Sequence, residues 1–583
     1  ALYIPLVLMS NDQAVLTVKY TSYWLILGTC LFFVYYLKDV FIALPAKGLK
    51  QPIRKHGLAL LVILLATAYL HLHLDRGFKI LFDEHTLSST ALSMHQDQRA
   101  FVQAAAHSVN QDTITKVGFV DKRPGLFPFI VSLVHNLTGY RLENVFWLNS
   151  ALTFLLLALT YTTTTTLTNR RHGILAVLIL SSLPLLAQNA NGGGYEILNL
   201  CLICGLILAG VKYLKSPNSE GLNLLLITSI LLANNRYESI LYVLAPAILF
   251  LLKSYRHKEL SLTWFAAFCP LLLITPLSSY AVFQGDSRFI QTTSDNFFSI
   301  QHFSSNLEHA LTYLFECTGD YSNSFLLSSA GVIAILFLSI QLIRRAPYFL
   351  KEDNELTTAL IVSSIAISNT LLALCCYWGA WTDPSTARFS LPLQLCFALS
   401  VPLVLQYDFK LKRTPAWMFV TVVTFIITMS SPHTARLHNE TRMIDAAGYD
   451  WAVKWAEANN QNENNLYLAE SATAFVLLKQ AGIPFIIANE IPERILQLQK
   501  FGIYDNIYTL KVFYRNNRGE AITPGRNAPF NNRFKLEPVA TKALKANLYY
   551  SINRVVGLRA ASPDYATLPE HLPPTLDQER NPV

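Results

Sequence analysis

Two adjacent carboxylates, Asp83 and Glu84, stand where an apolar run of this sequence gives way to polar chain. The run, Gly57 to Leu74, is long enough to cross a bilayer, and the polar residues 75–144 follow it. Ionisable groups at membrane depth are costly to place, so they are candidates for a function. A carboxylate there can accept a proton from an attacking hydroxyl or amine. The competing interpretation is a solvated acidic pair that merely ends a helix.

Further charged residues stand beside other apolar runs. They are, in chain order, Lys122, Arg123, Glu196, Arg236, Glu238 and Arg388. Carboxylates that face several arginines at membrane level suit an anionic, lipid-borne substrate, because guanidinium groups pair with phosphate through strong hydrogen bonds. Two alternatives remain open. In the first, the arginine side chains extend to lipid headgroups and bind no substrate. In the second, Arg236 and Glu238 form a purely structural ion pair.

The composition predicts a polytopic α-helical membrane protein. Of the 583 residues, 52% are hydrophobic and only 14% are charged, whereas soluble domains have about 25% charged residues. The apolar runs have the length of transmembrane helices. The net charge of +8 is concentrated in short loops, so no nucleic-acid partner is needed to explain it. The eight cysteines are interpreted as buried thiols, without a disulfide or metal framework.

The distribution of basic loops predicts about twelve spans with both termini outside. The basic loops then all face the cytoplasm, and Asp83 and the other charged residues named above face the outer side. The runs counted as spans include Gly173 to Ala187, Pro415 to Met429 and two that are short for full spans, Leu222 to Ala233 and Ile240 to Leu252. These two short runs are predicted to form a hairpin whose polar tip is sunk below the outer surface.

Three segments are predicted. Residues 1–56 supply an additional N-terminal transmembrane helix and a cytoplasmic loop. Residues 57–430 form the main transmembrane domain, with a first outer loop at 75–144 and a second at 284–323. Residues 431–583 form a small extracytoplasmic α/β domain that ends in an irregular tail after Ser562.

Local patterns predict the elements of the polar parts. In the first outer loop we expect a surface helix from Ser88 to Ser108 and an interfacial helix before Gly139. In the C-terminal domain the expected helices are 450–459, 471–480 and 490–500, and the expected strands are 465–469 and 483–488.

Four motifs, in this order, resemble those of the GT-C glycosyltransferases, which use polyprenyl-phosphate sugars as donors. The resemblance is closest to the protein O-mannosyltransferases and the lipid A aminoarabinose transferases. The motifs are Phe82-Asp83-Glu84-His85, Arg123-Pro124-Gly125-Leu126 with Gly139 after it, Tyr195-Glu196, and Arg388-Phe389-Ser390-Leu391-Pro392. They resemble an Asp-Glu pair, a Lys-Pro-Pro-Leu helix, a second-loop acid and a basic aromatic Leu-Pro motif. Arg123 replaces Lys, Gly125 replaces the second Pro and Glu196 replaces Asp, which leaves the sugar and the acceptor open.

The resemblance implies an integral membrane glycosyltransferase with an inverting mechanism. Its implied catalytic residues are Asp83, as general base, and Glu84. Negative charge grows on the departing polyprenyl phosphate, and the implied phosphate ligands are Lys122, Arg123, Arg236 and Arg388. The implied substrate contacts are His85, Tyr195, Glu196, Glu238 and Asp383. Glu84 and Glu196 are also candidates for holding a divalent cation, Mg²⁺ or Mn²⁺; no other cofactor is expected.

The expected partners are a polyprenyl-phosphate-linked sugar, a lipid, glycan or protein acceptor, and membrane lipids, with a larger membrane complex left open. The expected location is the inner membrane of a bacterium, with the active site and the C-terminal domain periplasmic. Two other classes remain. A transporter of lipid-linked substrates would show paired repeats of broken helices, whereas a non-catalytic scaffold or assembly subunit would be favoured by loss of the Asp-Glu pair.

Overall fold

The computed structural model divides the chain into two compact units. Unit 1 comprises Ala1–Ala104 and Thr115–Val453, and unit 2 comprises Ala105–Ile114 and Lys454–Val583. The residues that the structure describes are 9–42, 50–72, 74–80, 82–109, 112–215, 219–285, 298–351, 354–411, 414–429, 444–459, 464–515, 521–522, 530, 533–545 and 547–559. Three predictions fall outside these residues: the domain boundary at 430/431, part of the second outer loop (286–297), and the irregular tail.

Unit 1 is built mainly from helices, as its composition predicts. The α-helices are α1 Asn11–Ile42, α2 Lys50–Leu72, α3 Asp83–Asp97, α4 Leu126–Thr138, α5 Asn144–Leu167, α6 Arg170–Ser181, α7 Pro184–Ala190, α8 Glu196–Lys215, α9 Ser219–Asn235, α10 Leu244–His257, α11 Trp264–Phe268, α12 Ile274–Gly285, α13 Ile300–Phe315, α14 Phe325–Lys351, α15 Glu355–Leu374, α16 Leu391–Tyr407 and α17 Ala416–Thr428. Short 3-10 helices occupy Glu238–Val243, Cys269–Leu273 and Ala387–Ser390.

The protein is a polytopic membrane protein, but the predicted number of twelve spans is not confirmed. Among the described residues, nine helices are long and apolar enough to cross a membrane, or ten if α6 and α7 count as one span bent by 80°. Pro184 at the first turn of α7 accounts for that break. The remaining predicted spans correspond to α9, with 17 residues, and α17, with 13. At about 1.5 Å per residue, both are shorter than a bilayer core of about 30 Å.

Helices α8 and α16 lie at the centre of unit 1. In their apolar windows 78% and 83% of the residues are buried, against 22% in α1 and in α2. Helix α8 packs against α5, α9, α15 and α16, and α16 also packs against α14 and α6. Because Glu196 begins α8 and Arg388 precedes α16 by less than one turn, the two most enclosed helices carry charged groups at their N-terminal ends.

The first outer loop has a different local structure from the one predicted. The expected helix Ser88–Ser108 is wrong in its second half, because α3 ends at Asp97 and strand β1 follows at Val102–Val109. Strand β2, Asp112–Phe119, comes next in the chain, and the expected interfacial helix before Gly139 is α4. In β1, Ala106 pairs antiparallel with Gly482. Pairing with a neighbouring strand therefore outweighs the helix propensity of the alanines, and the segment forms a strand.

Unit 2 is the small α/β domain that the sequence predicts. Its further strands are β3 Asn465–Ala469, β4 Ala481–Pro484, β5 Asn506–Arg515, β6 Ala521–Ile522, β7 Phe534–Lys545 and β8 Leu548–Leu558, and its helices are Thr473–Val476, Phe485–Glu490 and Pro492–Lys500, with Ile444–Asn459 leading into it. The sheet order is β2-β1-β4-β3-β5-β8-β7, with β6 on β5. Strand β3 runs parallel to β4 and β5, and apolar side chains such as Leu466, Leu468 and Ile507 form the core.

Candidate functional site

The Asp-Glu pair begins helix α3. Asp83 and Glu84 lie in its first turn, where negative charge interacts favourably with the free N–H groups of the helix end. Phe82, directly before them, has φ 66°, a left-handed conformation that is strained for a bulky side chain.

Asp83 is held between two arginines from distant parts of the chain. One carboxylate oxygen pairs with Arg123, from the loop before α4, and the other with Arg388, from the 3-10 helix before α16. Arg123 is in turn held by Asp121, whose two oxygens lie 2.7 and 2.9 Å from its Nη1 atom. Thr86 Oγ1, one turn along α3, accepts a further bond of 3.3 Å from the same atom.

The ion pairs continue from Arg388 to the heads of two further helices. Arg388 Nη1 donates to Glu196 Oε1 at 3.0 Å, and Arg236 Nη1 approaches the same oxygen at 3.9 Å. Arg236 also donates to both oxygens of Glu238, at 3.2 and 3.3 Å. We call the whole series the charged chain; its members are Asp121, Arg123, Asp83, Arg388, Glu196, Arg236 and Glu238.

Most of the charged chain is buried, with one opening. The side chains of Arg236 and Arg388 are each 5% exposed and that of Glu196 is 1% exposed, whereas that of Asp83 is 22% exposed. Burial alone would raise the pKa of Asp83, but the charges of Arg123 and Arg388 outweigh it and lower the pKa to about 2. Asp83 is therefore ionised at neutral pH. Among the acidic side chains of the charged chain, it is the most accessible.

Glu84 has a different environment from its neighbour. Its side chain is buried, and its Oε2 atom accepts the backbone N–H of Lys79 at 2.7 Å. Burial raises the pKa of Glu84 to about 7, although the backbone N–H groups of Lys79 and Gly193 oppose that shift. The two adjacent carboxyl groups thus have very different pKa values, because only Asp83 faces arginines.

Four further predicted site residues make contacts of their own. Burial lowers the pKa of His85 to about 4, and its ring packs edge-on against Phe78 at 4.3 Å. Lys122 lies over the ring of Phe283 at 4.6 Å, and burial together with Arg123 lowers its pKa to about 8. Tyr195 is buried, with Arg236 4.9 Å from its ring centroid. Asp383 hydrogen-bonds Ser385 within its own turn, which precedes Arg388.

Sequence reasoning missed several residues that position these groups. Asp121 anchors Arg123, and its place two residues earlier in the same turn was an available signal. Phe389 lies under Arg236, at 4.9 Å, and under Arg388, at 5.5 Å. Gly192, Gly193 and Gly194, which we call the glycine turn, lie against Glu84 and Glu196. Three consecutive glycines directly before Tyr195-Glu196 were a visible sign of close packing.

The expected metal ligands do not form a complete set. In the described part of the chain, no group of three or more His, Cys, Asp or Glu side chains is arranged to hold a metal ion. The candidates Glu84 and Glu196 supply two carboxylates without a third. The divalent cation therefore stays a prediction.

Comparisons with known proteins agree with the motifs. Residues 122–280 match the family model described as dolichyl-phosphate-mannose-protein mannosyltransferase. The match includes Arg123, Glu196 and Arg236 but neither Asp83 nor Arg388. No curated protein matches the sequence.

Two solved structures show distant similarity. Cupriavidus metallidurans ArnT bound to undecaprenyl phosphate is 11% identical, with a TM-score of 0.47 over 85% of this chain and 98% of that one. The Archaeoglobus fulgidus oligosaccharyltransferase in the apo form is 10% identical, with a TM-score of 0.44 over 82% of this chain and 75% of that one.

The family match falls on the segment that carries two of the four motifs, in a chain with many apolar spans. The family match agrees with the resemblance predicted from the sequence: this chain is a multi-pass membrane protein that is similar, over residues 122–280, to that mannosyltransferase family model.

Proposed function

We propose that the protein moves a sugar from a polyprenyl-phosphate donor to an acceptor on the outer side of the membrane. The observation that supports this most strongly is Asp83 held between Arg123 and Arg388 at the opening of a buried charged chain. A general base then lies directly beside two groups suited to phosphate.

The chemistry follows from that arrangement. The acceptor hydroxyl or amine attacks the anomeric carbon from the face opposite the phosphate, and its proton passes to Asp83. The glycosidic C–O bond breaks, and its electron pair stays on the phosphate oxygen, so the anomeric configuration is inverted. Arg123 and Arg388 stabilise the growing negative charge, which favours the transition state over the ground state.

The same arginines weaken the base while they pair with Asp83. A carboxylate whose pKa lies at about 2 is a poor proton acceptor. A donor phosphate competes for Arg123 and Arg388, and sharing them raises the pKa of Asp83 towards its usual value. We therefore expect Asp83 to become an effective base only after the donor has bound.

An apolar groove is the candidate binding site for the prenyl chain. A cavity of about 520 Å³ lies between α10, α14 and α15, and Leu241, Ile248, Leu342, Ile361 and Leu372 are among its lining residues. Leu241 is three residues beyond Glu238, which belongs to the charged chain. A lipid whose phosphate binds the charged chain could lay its tail along this groove, because Leu241 and Glu238 lie in the same 3-10 helix.

The donor sugar and the acceptor, whether lipid, glycan or protein, are open within this proposal, as are a divalent cation, a larger membrane complex and a bacterial inner-membrane location. The orientation can be tested by thiol labelling, because Asp97 is exposed in the first outer loop. In a Cys317→Ser background, Asp97→Cys should react with an impermeant reagent from outside. Labelling only after permeabilisation would contradict the orientation.

The proposal is tested by incubating purified protein in lipid with a panel of polyprenyl-phosphate sugars. We expect one donor to release prenyl phosphate and to label the lipid, glycan or protein fraction of a membrane extract. Intact donors and unlabelled fractions, from protein that binds a prenyl-phosphate analogue, would refute the enzyme and favour the scaffold.

A further inference from the structure

Glu84 faces the glycine turn, against which Glu196 also lies. It is buried, with the Lys79 N–H on one oxygen. Its other oxygen lies against the glycine turn: a Cβ atom added to Gly192 would be 2.8 Å from Glu84 Oε1, and one added to Gly194 would be 3.5 Å from it. Its Cβ atom would lie 3.5 Å from a Cβ atom on Gly193.

Glycine occupies these three positions because a side chain would not fit there, and not because the backbone needs a positive φ. Among the described residues, the glycines with positive φ are Gly139, Gly319 and Gly502, so the glycine turn has a backbone that other residues can adopt. Added Cβ atoms would nevertheless collide. One on Gly193 would be 3.0 Å from the ring of Phe78, and one on Gly194 would overlap Glu196 Oε2.

The glycine turn is also held from the opposite side and leads into the charged chain. The side-chain amide of Asn149 donates to the carbonyl oxygens of Gly192 and Gly194, both at 2.8 Å. Two residues after Gly194, Glu196 accepts the 3.0 Å bond from Arg388. The position of the turn therefore sets the position of one carboxylate that holds Arg388.

We propose that Glu84 is a positioning residue, which locks the first outer loop onto the glycine turn by its shape, while its bond to the Lys79 N–H holds its carboxylate in place. Asp83, next to Glu84, and Glu196, next to the turn, hold Arg388 from two sides. The lock thus sets the distance between the base and the phosphate site. This assignment rests on the proposed function. In an enzyme, a misplacement of the reacting groups by about 1 Å costs roughly 10²-fold in rate.

The proposal separates shape from charge at Glu84. Glu84→Gln keeps the length and an oxygen that accepts the Lys79 N–H, so we expect kcat within about threefold of wild type. Glu84→Ala removes the lock, and kcat should fall at least tenfold while the KM for donor changes less. A direct catalytic or metal-binding role predicts instead that Glu84→Gln is as inactive as Glu84→Ala, and that result would overturn the proposal.

A second test needs no activity and keeps the two proposals distinguishable. Gly192→Ala puts a methyl group into the space of Glu84 Oε1, and Glu84→Asp withdraws the carboxylate by one methylene. The double variant should therefore lower the thermal midpoint by less than the sum of the single variants. Gly205→Ala is the control, because its Cβ would meet only Thr228, at 3.8 Å.

Additive midpoints for the Gly192 and Glu84 variants would overturn the lock whatever the transfer assay shows. A wild-type protein that binds donor but transfers nothing would refute the proposed function and leave the contact itself supported by a non-additive cycle.

Discussion

Replacing Arg388 by Met tests whether the charged chain holds unit 1 together. Methionine keeps an unbranched apolar stem but lacks the guanidinium group, so among the described residues Glu196, 1% exposed, keeps only the Arg236 pair at 3.9 Å. Removing one partner from a buried ion pair typically costs about 3–5 kcal/mol, because the remaining charge is left uncompensated. Asp83, 22% exposed, contributes less to the loss, since water can reach it. We expect a destabilisation in the stated range for Arg388→Met.

The assay is thermal unfolding in one lipid–detergent mixture, with a matched control elsewhere in the chain. Arg533 pairs with Glu493; the side chain of Arg533 is half-buried, at 29% exposed, and that of Glu493 is exposed, at 57%. Pairs that water can reach contribute little. Arg533→Met should therefore melt close to wild type. Adding Glu196→Gln to Arg388→Met removes the orphaned charge and should restore part of the midpoint. An Arg388→Met protein that melts like Arg533→Met would refute the reasoning.

Three further predictions concern ligands and pH. Arg123→Ala should weaken binding of a prenyl-phosphate analogue by about 1.5–3 kcal/mol, the range for charged hydrogen bonds; unchanged affinity in a titration would remove Arg123 from the phosphate site. Ile361→Trp fills the groove and should raise KM for long-chain donors more than for short ones, unlike Leu336→Trp, a change at a 59% exposed position. Burial raises the pKa of Glu84 from 4.5 to about 7, so the stability it contributes is complete below pH 4.5 and is lost as the pH rises through 7. The thermal midpoint of Glu84→Gln relative to wild type should therefore increase between pH 5 and pH 8, and a constant difference would contradict the shift.

The helices were predictable because apolar runs of sufficient length have few alternatives. What the sequence could not supply was the geometry of the marginal runs. The run Gly173 to Ala187 became two helices bent by 80°, and α9 and α17 are too short to cross as counted. In unit 2 the strand at 465–469 was predicted with its observed bounds, but 483–488 is wrong. Pro484 ends β4 there, and helix Phe485–Glu490 begins.

For the site, the sequence indicated which residues meet but not how they pair. Because each of them stands beside an apolar run, we expected four charged residues to meet at one end of the helices, as they do. They are Asp83, Glu196, Arg236 and Arg388. Their pairing depends on distances between helices that are far apart in the chain, and no local pattern encodes such distances. The roles assigned to these residues stay predictions. Arg236 and Glu238 form an ion pair in the structure.

The most direct test of the central claim compares two aspartates at opposite ends of α3. Asp83→Asn should retain the fold and bind a prenyl-phosphate analogue, while sugar transfer falls by about 10² or more, because an amide accepts no proton from the acceptor. Asp97→Asn, at the exposed C-terminal end of the same helix, should transfer at the wild-type rate. Wild-type turnover by Asp83→Asn would contradict the assignment of Asp83 as the base.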